Sequence, residues 1–150
     1  MYLLEYIHIY LVMKLEPKNI EHYTWRQYKH DIEFLASWIL RQYPQVEYVV
    51  GLARGGLIPA VQLSYKFNVP LIVKHHQTRD GDKKDDFVIP PKSLIVDDIN
   101  DSGRTLTEVT KYCQGDYRTC SIYYKDTSTF EVDFYCRNSY NNWVIFPWEN

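Results

Sequence analysis

The sequence predicts an α/β protein in which helices cover both faces of a parallel sheet. Two observations predict this class. Short apolar runs rich in β-branched residues, typical of buried strands, alternate along the chain with segments in which apolar residues recur at helical spacing. Such alternation is characteristic of βαβ units, whose strands are parallel. With 150 residues, 45% of them hydrophobic and 24% charged, the chain can bury a substantial core, and we expect one domain over residues 1–150.

The first helix is predicted from its cap and from the spacing of its apolar residues. Thr24, followed three residues later by Gln27, forms a capping-box pattern. Apolar residues then recur on one helical face as far as Gln42. They are Tyr28, Ile32, Leu35, Ala36 and Ile39.

A strand and a second helix are predicted next. The stretch "YVVGLA", residues 48–53, is a short β-branched run of the kind found in buried strands. A helix is expected from Leu57, because Pro59 is tolerated in a first helical turn. Asn68 is suited to the left-handed residue that ends such a helix.

The second half of the chain begins with a predicted strand and a charged loop. The strand is "LIVKH", residues 71–75, and "HQTRDGDKKDD" follows it. This charged segment has no apolar period, so we expect a flexible loop over about residues 75–87. After the strand "SLIV", a third helix is predicted from Gly103 to Cys113. The remaining strands are predicted at "CSIYY", "VDFYC" and "WVIF".

Charge, cysteines and the N-terminal segment narrow the class of protein. A formal net charge of −2 gives no reason to expect binding to nucleic acid or to an anionic membrane. Three cysteines without CxxC spacing indicate neither a disulfide framework nor a thiolate zinc site, and they fit a reducing cytoplasm. The apolar stretch "MYLLEYIHIYLVM" is too short to span a bilayer, and we expect a strand there or an extension upstream of a start at Met13.

Three acids at the end of a strand are the first functional signal. In "LIVDDINDSGRTL", residues 94–106, an apolar run leads into Asp97, Asp98 and Asp101. Carboxylates this close raise one another's pKa and cost stability unless a cation or a hydroxyl-rich ligand lies among them. In parallel sheets, ligands bind at the carboxyl ends of the strands. The pattern therefore predicts a ligand site at this strand end.

Two strand-to-helix junctions predict phosphate binding. In "INDSGRT", Ser102 and Gly103 allow a tight turn whose backbone N–H groups, with the Ser102 and Thr105 hydroxyls, can converge on an anion at a helix N-terminus. The second junction is "GLARGGLIP", where Arg54 suits phosphate oxygens and Gly55 allows close backbone approach. Neither is a Walker A or a GxGxxG motif.

These two motifs resemble those of type I phosphoribosyltransferases. "LIVDDINDSGRT" is similar to the family's motif for 5-phosphoribosyl diphosphate (PRPP), and "GLARGGLIPA" is similar to its pyrophosphate loop. The resemblance covers residues 23–148 and looks closest to the short xanthine-guanine and hypoxanthine enzymes of bacteria, archaea and phages. It implies the type I fold, with a core over about residues 23–125. It also implies a small C-terminal hood, over about residues 126–150 together with the N-terminal segment.

The resemblance implies an activity and a role for each matching residue of the PRPP site. A base would displace pyrophosphate from PRPP, with Mg2+ as cofactor. Asp97 and Asp98 would face the ribose hydroxyls, with Asp98 contacting the metal. Arg54 and Gly55 would bind pyrophosphate, next to an Ala53–Arg54 peptide expected to be cis. The 5′-phosphate would be bound by Asp101, Ser102, Gly103, Arg104 and Thr105.

The resemblance also implies a purine site and a subclass. An acid at position 101, near N7 of the base, occurs in enzymes for 6-oxopurines, and Asp101 would be the catalytic base. Lys125 would donate to O6, Trp143 would stack on the ring, Val144 would contact the purine edge and Ile99 would cover the other face. The substrates would be PRPP and guanine, hypoxanthine or xanthine, in a cytoplasmic homodimer or homotetramer.

Two other functions remain open on the sequence. One is a regulator that senses PRPP or nucleotides with the same fold. The other is a phosphoribosyltransferase for a base that is not a purine. Simpler structural roles also remain open at single positions: Lys125 as a surface lysine at a strand end, and Trp143 as a core residue.

Overall fold

A five-stranded parallel sheet forms the centre of the molecule. The computed structural model describes Leu4, Ile7 and residues 19–75 and 87–150. The sheet has the order β3-β2-β4-β5-β6, and every neighbouring pair is parallel. Its strands are β2 (Tyr48–Ala53), β3 (Leu71–His75), β4 (Ser93–Asn100), β5 (Tyr117–Tyr124) and β6 (Phe134–Asn138).

Helices lie on both faces of this sheet, which confirms the predicted α/β class. The helices are α1 (Trp25–Gln42), α2 (Leu57–Phe67) and α3 (Arg104–Thr110). Val49 of β2 packs in the same buried cluster as α1 and α2, whereas its neighbour Val50 packs with α3. Successive strand residues thus point to opposite covered faces, which is why the strands read as continuous apolar runs. No helix among the described residues is long and apolar enough to cross a membrane.

The capping signals of the first two helices are confirmed. The Thr24 hydroxyl accepts a hydrogen bond from the Gln27 N–H, and the Gln27 side chain accepts one from the Thr24 N–H. Asn68 ends α2 in the left-handed conformation with φ of 54°. Both signals depend on hydrogen bonds within a few residues, so they can be read locally.

The third helix is shorter than the predicted span from Gly103 to Cys113. It ends at Thr110, after which the N–H groups of residues 111–113 donate to carbonyl oxygens three rather than four residues back. Residues 112 and 114 also form hydrogen bonds with a distant segment. The Ile89 N–H donates to the carbonyl oxygen of Tyr112 at 2.8 Å, and the Gln114 N–H donates to the carbonyl oxygen of Ile89 at 2.9 Å. The α-helix thus gives way to a tighter turn over residues 111–113, and pairing with Ile89 fixes the chain that follows.

A second, two-stranded sheet forms a hood at the carboxyl ends of the main strands. It pairs β1 (Ile20–His22) in parallel with β7 (Trp143–Ile145). The strand β6 lies in the sequence range assigned to the hood but is the edge strand of the main sheet. Of the N-terminal stretch, only Leu4 and Ile7 are described, and their backbone is helical rather than extended. Of the loop predicted over about residues 75–87, His75 is the last residue of β3, and residues 76–86 lie outside the described residues.

Candidate active site

The two predicted phosphate loops meet because the strands that precede them are neighbours. β2 and β4 are paired, with Gly51 opposite Val96. Contact between the loops is so close that a methyl group at Gly55 would lie 1.8 Å from Asp98 Oδ2. The Ala53–Arg54 peptide is cis, as the resemblance implied. Absence of a side chain at Gly55 therefore lets the loop of Arg54 contact the acidic end of β4.

The acid pair at the end of β4 is electrostatically unfavourable without a ligand. Removal from water raises the pKa of Asp97 well above its usual range, and the neighbouring charge of Asp98 raises it further. Burial likewise raises the pKa of Asp98. Backbone N–H groups give partial compensation: that of Asp98 donates to Asp97 Oδ1 at 2.9 Å, and that of Ile99 donates to Asp98 Oδ1 at 2.8 Å. None of the ion pairs among the described residues involves either carboxylate.

A cavity of 410 Å³ opens beside Asp98. Its lining joins the Arg54 loop, Asp98 and the C-terminal residues Trp148 and Glu149. The negative charge of Glu149 contributes to the raised pKa of Asp98, after burial. Sequence reasoning missed Trp148 and Glu149 as site residues. The signal was weak, since an acid that follows an aromatic residue near a chain end has no motif of its own.

The donor set around Asp98 fits Mg2+. Within the described parts of the chain, no cluster of three or more acidic, His or Cys side chains forms a complete metal site. Mg2+ usually retains waters and is bound through one or two carboxylates together with phosphate oxygens of a substrate. Asp98, whose pKa is raised by burial, lines the cavity together with Arg54 and meets that requirement.

The loop after β4 forms a small anion-sized cup. Gly103 precedes α3 with φ of 86°, a conformation that glycine adopts without strain. The cup has a volume of 50 Å³, and the Arg104 N–H donates to the Ser102 hydroxyl at 3.3 Å. All five residues predicted for the 5′-phosphate line it: Asp101, Ser102, Gly103, Arg104 and Thr105.

A distant segment supports this loop, and sequence reasoning did not identify it. The Thr129 N–H and hydroxyl both donate to the Ser102 carbonyl oxygen at 3.0 Å. The buried Asn100 side chain donates to the Phe130 carbonyl oxygen at 2.7 Å and accepts from the Ser128 hydroxyl at 3.0 Å. No sequence motif marks these contacts, because the partners are 27 to 30 residues apart.

Lys125 is buried and paired with Asp101, so it is not a surface lysine. Its Nζ lies 3.0 Å from Asp101 Oδ1, and its side chain is 8% exposed whereas that of Asp101 is 57% exposed. The Lys125 N–H donates to the Asn100 carbonyl oxygen at 3.1 Å. The end of β5 thus places an ammonium group beside an accessible carboxylate.

The other residues predicted for the base lie at the same end of the sheet. Trp143 is 55% exposed and is therefore not a core residue, whereas Val144 is buried. Ile99 is half-buried on β4. A hydrogen-bonded path connects β7 to the end of β5: the Ser139 N–H donates to the Tyr124 carbonyl oxygen, and the Asn142 N–H donates to that of Ser139.

Comparisons with known proteins agree with this geometry. The family model for the phosphoribosyl transferase domain matches residues 21–149. A xanthine-guanine phosphoribosyltransferase of Cereibacter sphaeroides is 31% identical over 145 residues, covering 85% of this chain and 86% of that protein. Another from Gluconobacter oxydans is 28% identical over 138 residues, covering 84% and 82%.

Solved structures that are similar to this chain include a purine phosphoribosyltransferase from Pyrococcus horikoshii. It superposes with a TM-score of 0.75 at 31% identity, covering 88% of this chain and 95% of that chain. The chain belongs to the phosphoribosyltransferase family.

Proposed function

We propose that the protein is a purine salvage enzyme. It condenses guanine, hypoxanthine or xanthine with PRPP and releases the nucleoside 5′-monophosphate and pyrophosphate. Family membership supports phosphoribosyl transfer, and relatives named for xanthine-guanine and purine substrates support a 6-oxopurine base.

The pair formed by Lys125 and Asp101 is the observation that carries the base assignment. It offers a donor and an acceptor 3.0 Å apart at an accessible point of the site. A 6-oxopurine has a matching edge, because O6 accepts a hydrogen bond from the ammonium group while a proton at N7 meets the carboxylate. Adenine presents an amino group at position 6, and this donor cannot accept a hydrogen bond from an ammonium group.

PRPP occupies the two loops in this proposal. Residues 101–105 bind its 5′-phosphate through backbone N–H groups and hydroxyls. Asp97 and Asp98 accept hydrogen bonds from the ribose hydroxyls. Arg54 and the backbone of Gly55 bind the pyrophosphate group. Asp98 would hold Mg2+, which would supply positive charge to the oxygens of the departing pyrophosphate.

In the reaction, a purine nitrogen bonds to C1 of the ribose as the bond from C1 to the pyrophosphate oxygen breaks. The electron pair of that bond leaves with pyrophosphate, whose charge Arg54 stabilises. Asp101 accepts the proton that the purine loses. Trp143 stacks on one ring face and Ile99 covers the other, which orients the nitrogen toward C1.

A spectrophotometric assay with PRPP and Mg2+ tests the proposal. The panel contains guanine, hypoxanthine, xanthine, adenine and orotate. We expect nucleotide formation with at least one 6-oxopurine and none with adenine or orotate. PRPP binding without consumption of any base would indicate a regulator instead, and turnover of orotate would refute the purine assignment.

A further inference from the structure

The hood is connected to the main sheet by a cluster of polar side chains outside the candidate active site. We name this cluster the hood anchor. It lies beside the backbone pairing of β1 with β7, and it draws on β1, α1, β5 and β6. Its members are Glu21, Tyr23, Asp31, Tyr123 and Arg137.

Asp31 is the centre of the first half of the hood anchor. Its side chain is only 7% exposed and accepts hydrogen bonds from Arg137 and Tyr23, and His30 Nδ1 lies 3.4 Å from its Oδ1. Arg137 donates through Nε at 2.5 Å and through its terminal nitrogen at 3.2 Å, and the Tyr23 hydroxyl donates at 2.8 Å. A bidentate guanidinium and a phenol fix the position of a buried carboxylate in both distance and direction. Tyr23, one residue beyond β1, is thereby tied to α1 and β6.

Tyr123 forms the second half. Its hydroxyl donates to Glu21 Oε1 at 2.5 Å, and its side chain is fully buried. In the main sheet Tyr123 lies opposite Ile99 on β4 and Arg137 on β6. Burial raises the pKa of Tyr123 and of Tyr23, so both phenols remain protonated donors.

Both sets of hydrogen bonds hold residues of β1 or next to it, and the backbone pairing of β1 with β7 passes this restraint on to β7. Glu21 lies opposite Val144, and the Tyr23 N–H donates to the Ile145 carbonyl oxygen at 2.9 Å. An isolated pair of strands is marginally stable and has no fixed position of its own. The place of β7 over the end of the main sheet therefore depends on these side chains and on the aromatic packing around them.

The positions of the two predicted phosphate loops do not depend on the hood anchor. They follow β2 and β4, which are central strands of the main sheet, and their support comes from Asn100 and residues 128–130. Movement of the hood would therefore displace Trp143 and Val144 most and leave the loop of residues 101–105 in place. Trp148 and Glu149, which line the cavity beside Asp98, follow β7 in the chain, but Trp148 also packs against Trp25 and Tyr28 of α1.

We infer that the hood anchor is a positioning device for the base-binding strand and so selectively sets affinity for the base. The inference rests on the proposed function, because it takes β7 as the strand that contacts the purine. None of its five members lines either cavity of the candidate active site, and they act through the pairing of β1 with β7.

Removal of single hydroxyl groups tests the inference with little change in shape. Tyr23→Phe and Tyr123→Phe each lose one hydrogen bond to a carboxylate, and we expect the base KM to rise about 10-fold in each. The PRPP KM should stay within about twofold of wild type. Arg137→Lys, which keeps the charge but loses the bidentate geometry, should give an effect in the same direction.

Tyr43→Phe is the matched control. Tyr43 is also fully buried at an end of α1, but it packs under the Arg118 guanidinium at the amino end of β5, away from the hood. The Tyr43 hydroxyl has no hydrogen-bond partner among the described residues, so this variant reports the effect of removing a buried phenol hydroxyl away from the hood. We expect its KM values for both substrates to match those of wild type.

Amide hydrogen exchange gives a readout that does not need activity. In the unliganded Tyr23→Phe and Tyr123→Phe variants, residues 143–146 should exchange at least several-fold faster than in wild type, whereas residues 97–106 should not change. Equal increases in both KM values, or unchanged exchange at residues 143–146, would overturn the inference. If the wild type transferred nothing to any base, the proposed function would fail, and the exchange result alone would decide whether the hood anchor positions β7.

Discussion

Addition of one methyl group at Gly55 tests whether the two loops form one PRPP site. In Gly55→Ala, the new Cβ would lie 1.8 Å from Asp98 Oδ2 and 2.5 Å from Asp98 Cγ. Non-bonded heavy atoms are in favourable contact at about 3.5 Å, so the carboxylate or the loop must move by about 1.7 Å. Either movement separates Asp98 from the loop of Arg54.

The size of the effect follows from what Asp98 loses by moving. Its Oδ1 accepts a hydrogen bond from the Ile99 N–H at 2.8 Å, which a rotation of the side chain breaks. A displaced Asp98 can then no longer accept the hydrogen bond from a ribose hydroxyl that the proposed function assigns to it. A hydrogen bond to a charged group contributes about 1.5–3 kcal/mol, equivalent to about 10- to 100-fold in affinity. We therefore expect kcat/KM for PRPP to fall by about that factor, measured by steady-state kinetics with a saturating 6-oxopurine.

Gly115→Ala is the control for loss of stability alone. Gly115 has φ of 81° and lies before β5, where a methyl group would be 3.3 Å from Pro91 Cβ. An L-residue in this conformation costs about 1–2 kcal/mol, so its Tm should fall while its PRPP kinetics stay as in wild type. Gly55→Ala protein that bound PRPP with wild-type KM and Kd would refute the argument that Asp98 and the Arg54 loop act together.

Three further substitutions test separate parts of the site. Asp101→Asn keeps the shape of the side chain but cannot accept a proton, so we expect kcat to fall about 100-fold with PRPP binding little changed; undiminished turnover would remove the general-base role. Lys125→Ala should raise the KM for the base selectively, because the donor to O6 is lost, and an unchanged KM would place that donor elsewhere. Asp97→Asn should raise the Tm of the unliganded protein by about 2–5 °C at pH 7, since the raised pKa of Asp97 means that its ionised form destabilises the fold. This gain should shrink as the pH falls through that raised pKa, where the wild-type carboxyl group is also neutral, and a variant no more stable than wild type at pH 7 in thermal scans would contradict the prediction.

The candidate site was predictable where its residues are consecutive in sequence. Residues 97–105 and the loop of Arg54 form their turns largely from local backbone geometry, and both follow buried strands. In such segments the spacing of residues in the sequence is enough to indicate what they bind. For the same reason the caps of α1 and α2 were predicted correctly, whereas the end of α3 was wrong, because Ile89 pairs with the chain after Thr110.

Residues that act across the fold left no such signal. Glu149 reaches the cavity beside Asp98 from the C-terminal segment, and the Asp31 to Arg137 pair spans 106 residues. In the sequence each of these is an ordinary charged residue. What joins them is the order of the strands, which brings distant segments to one edge of the sheet.

The amino-acid sequence alone determined the fold class, the positions of the two predicted phosphate loops and the family resemblance, because strand alternation and turn chemistry are local properties of the chain. Only the tertiary structure decided that Lys125 is buried against Asp101, that Gly55 must lack a side chain to admit Asp98, and that the hood is tied to the main sheet through Asp31. The physical reason is that burial and charge pairing depend on which segments meet in space, and that is set by the pairing of strands far apart in the chain.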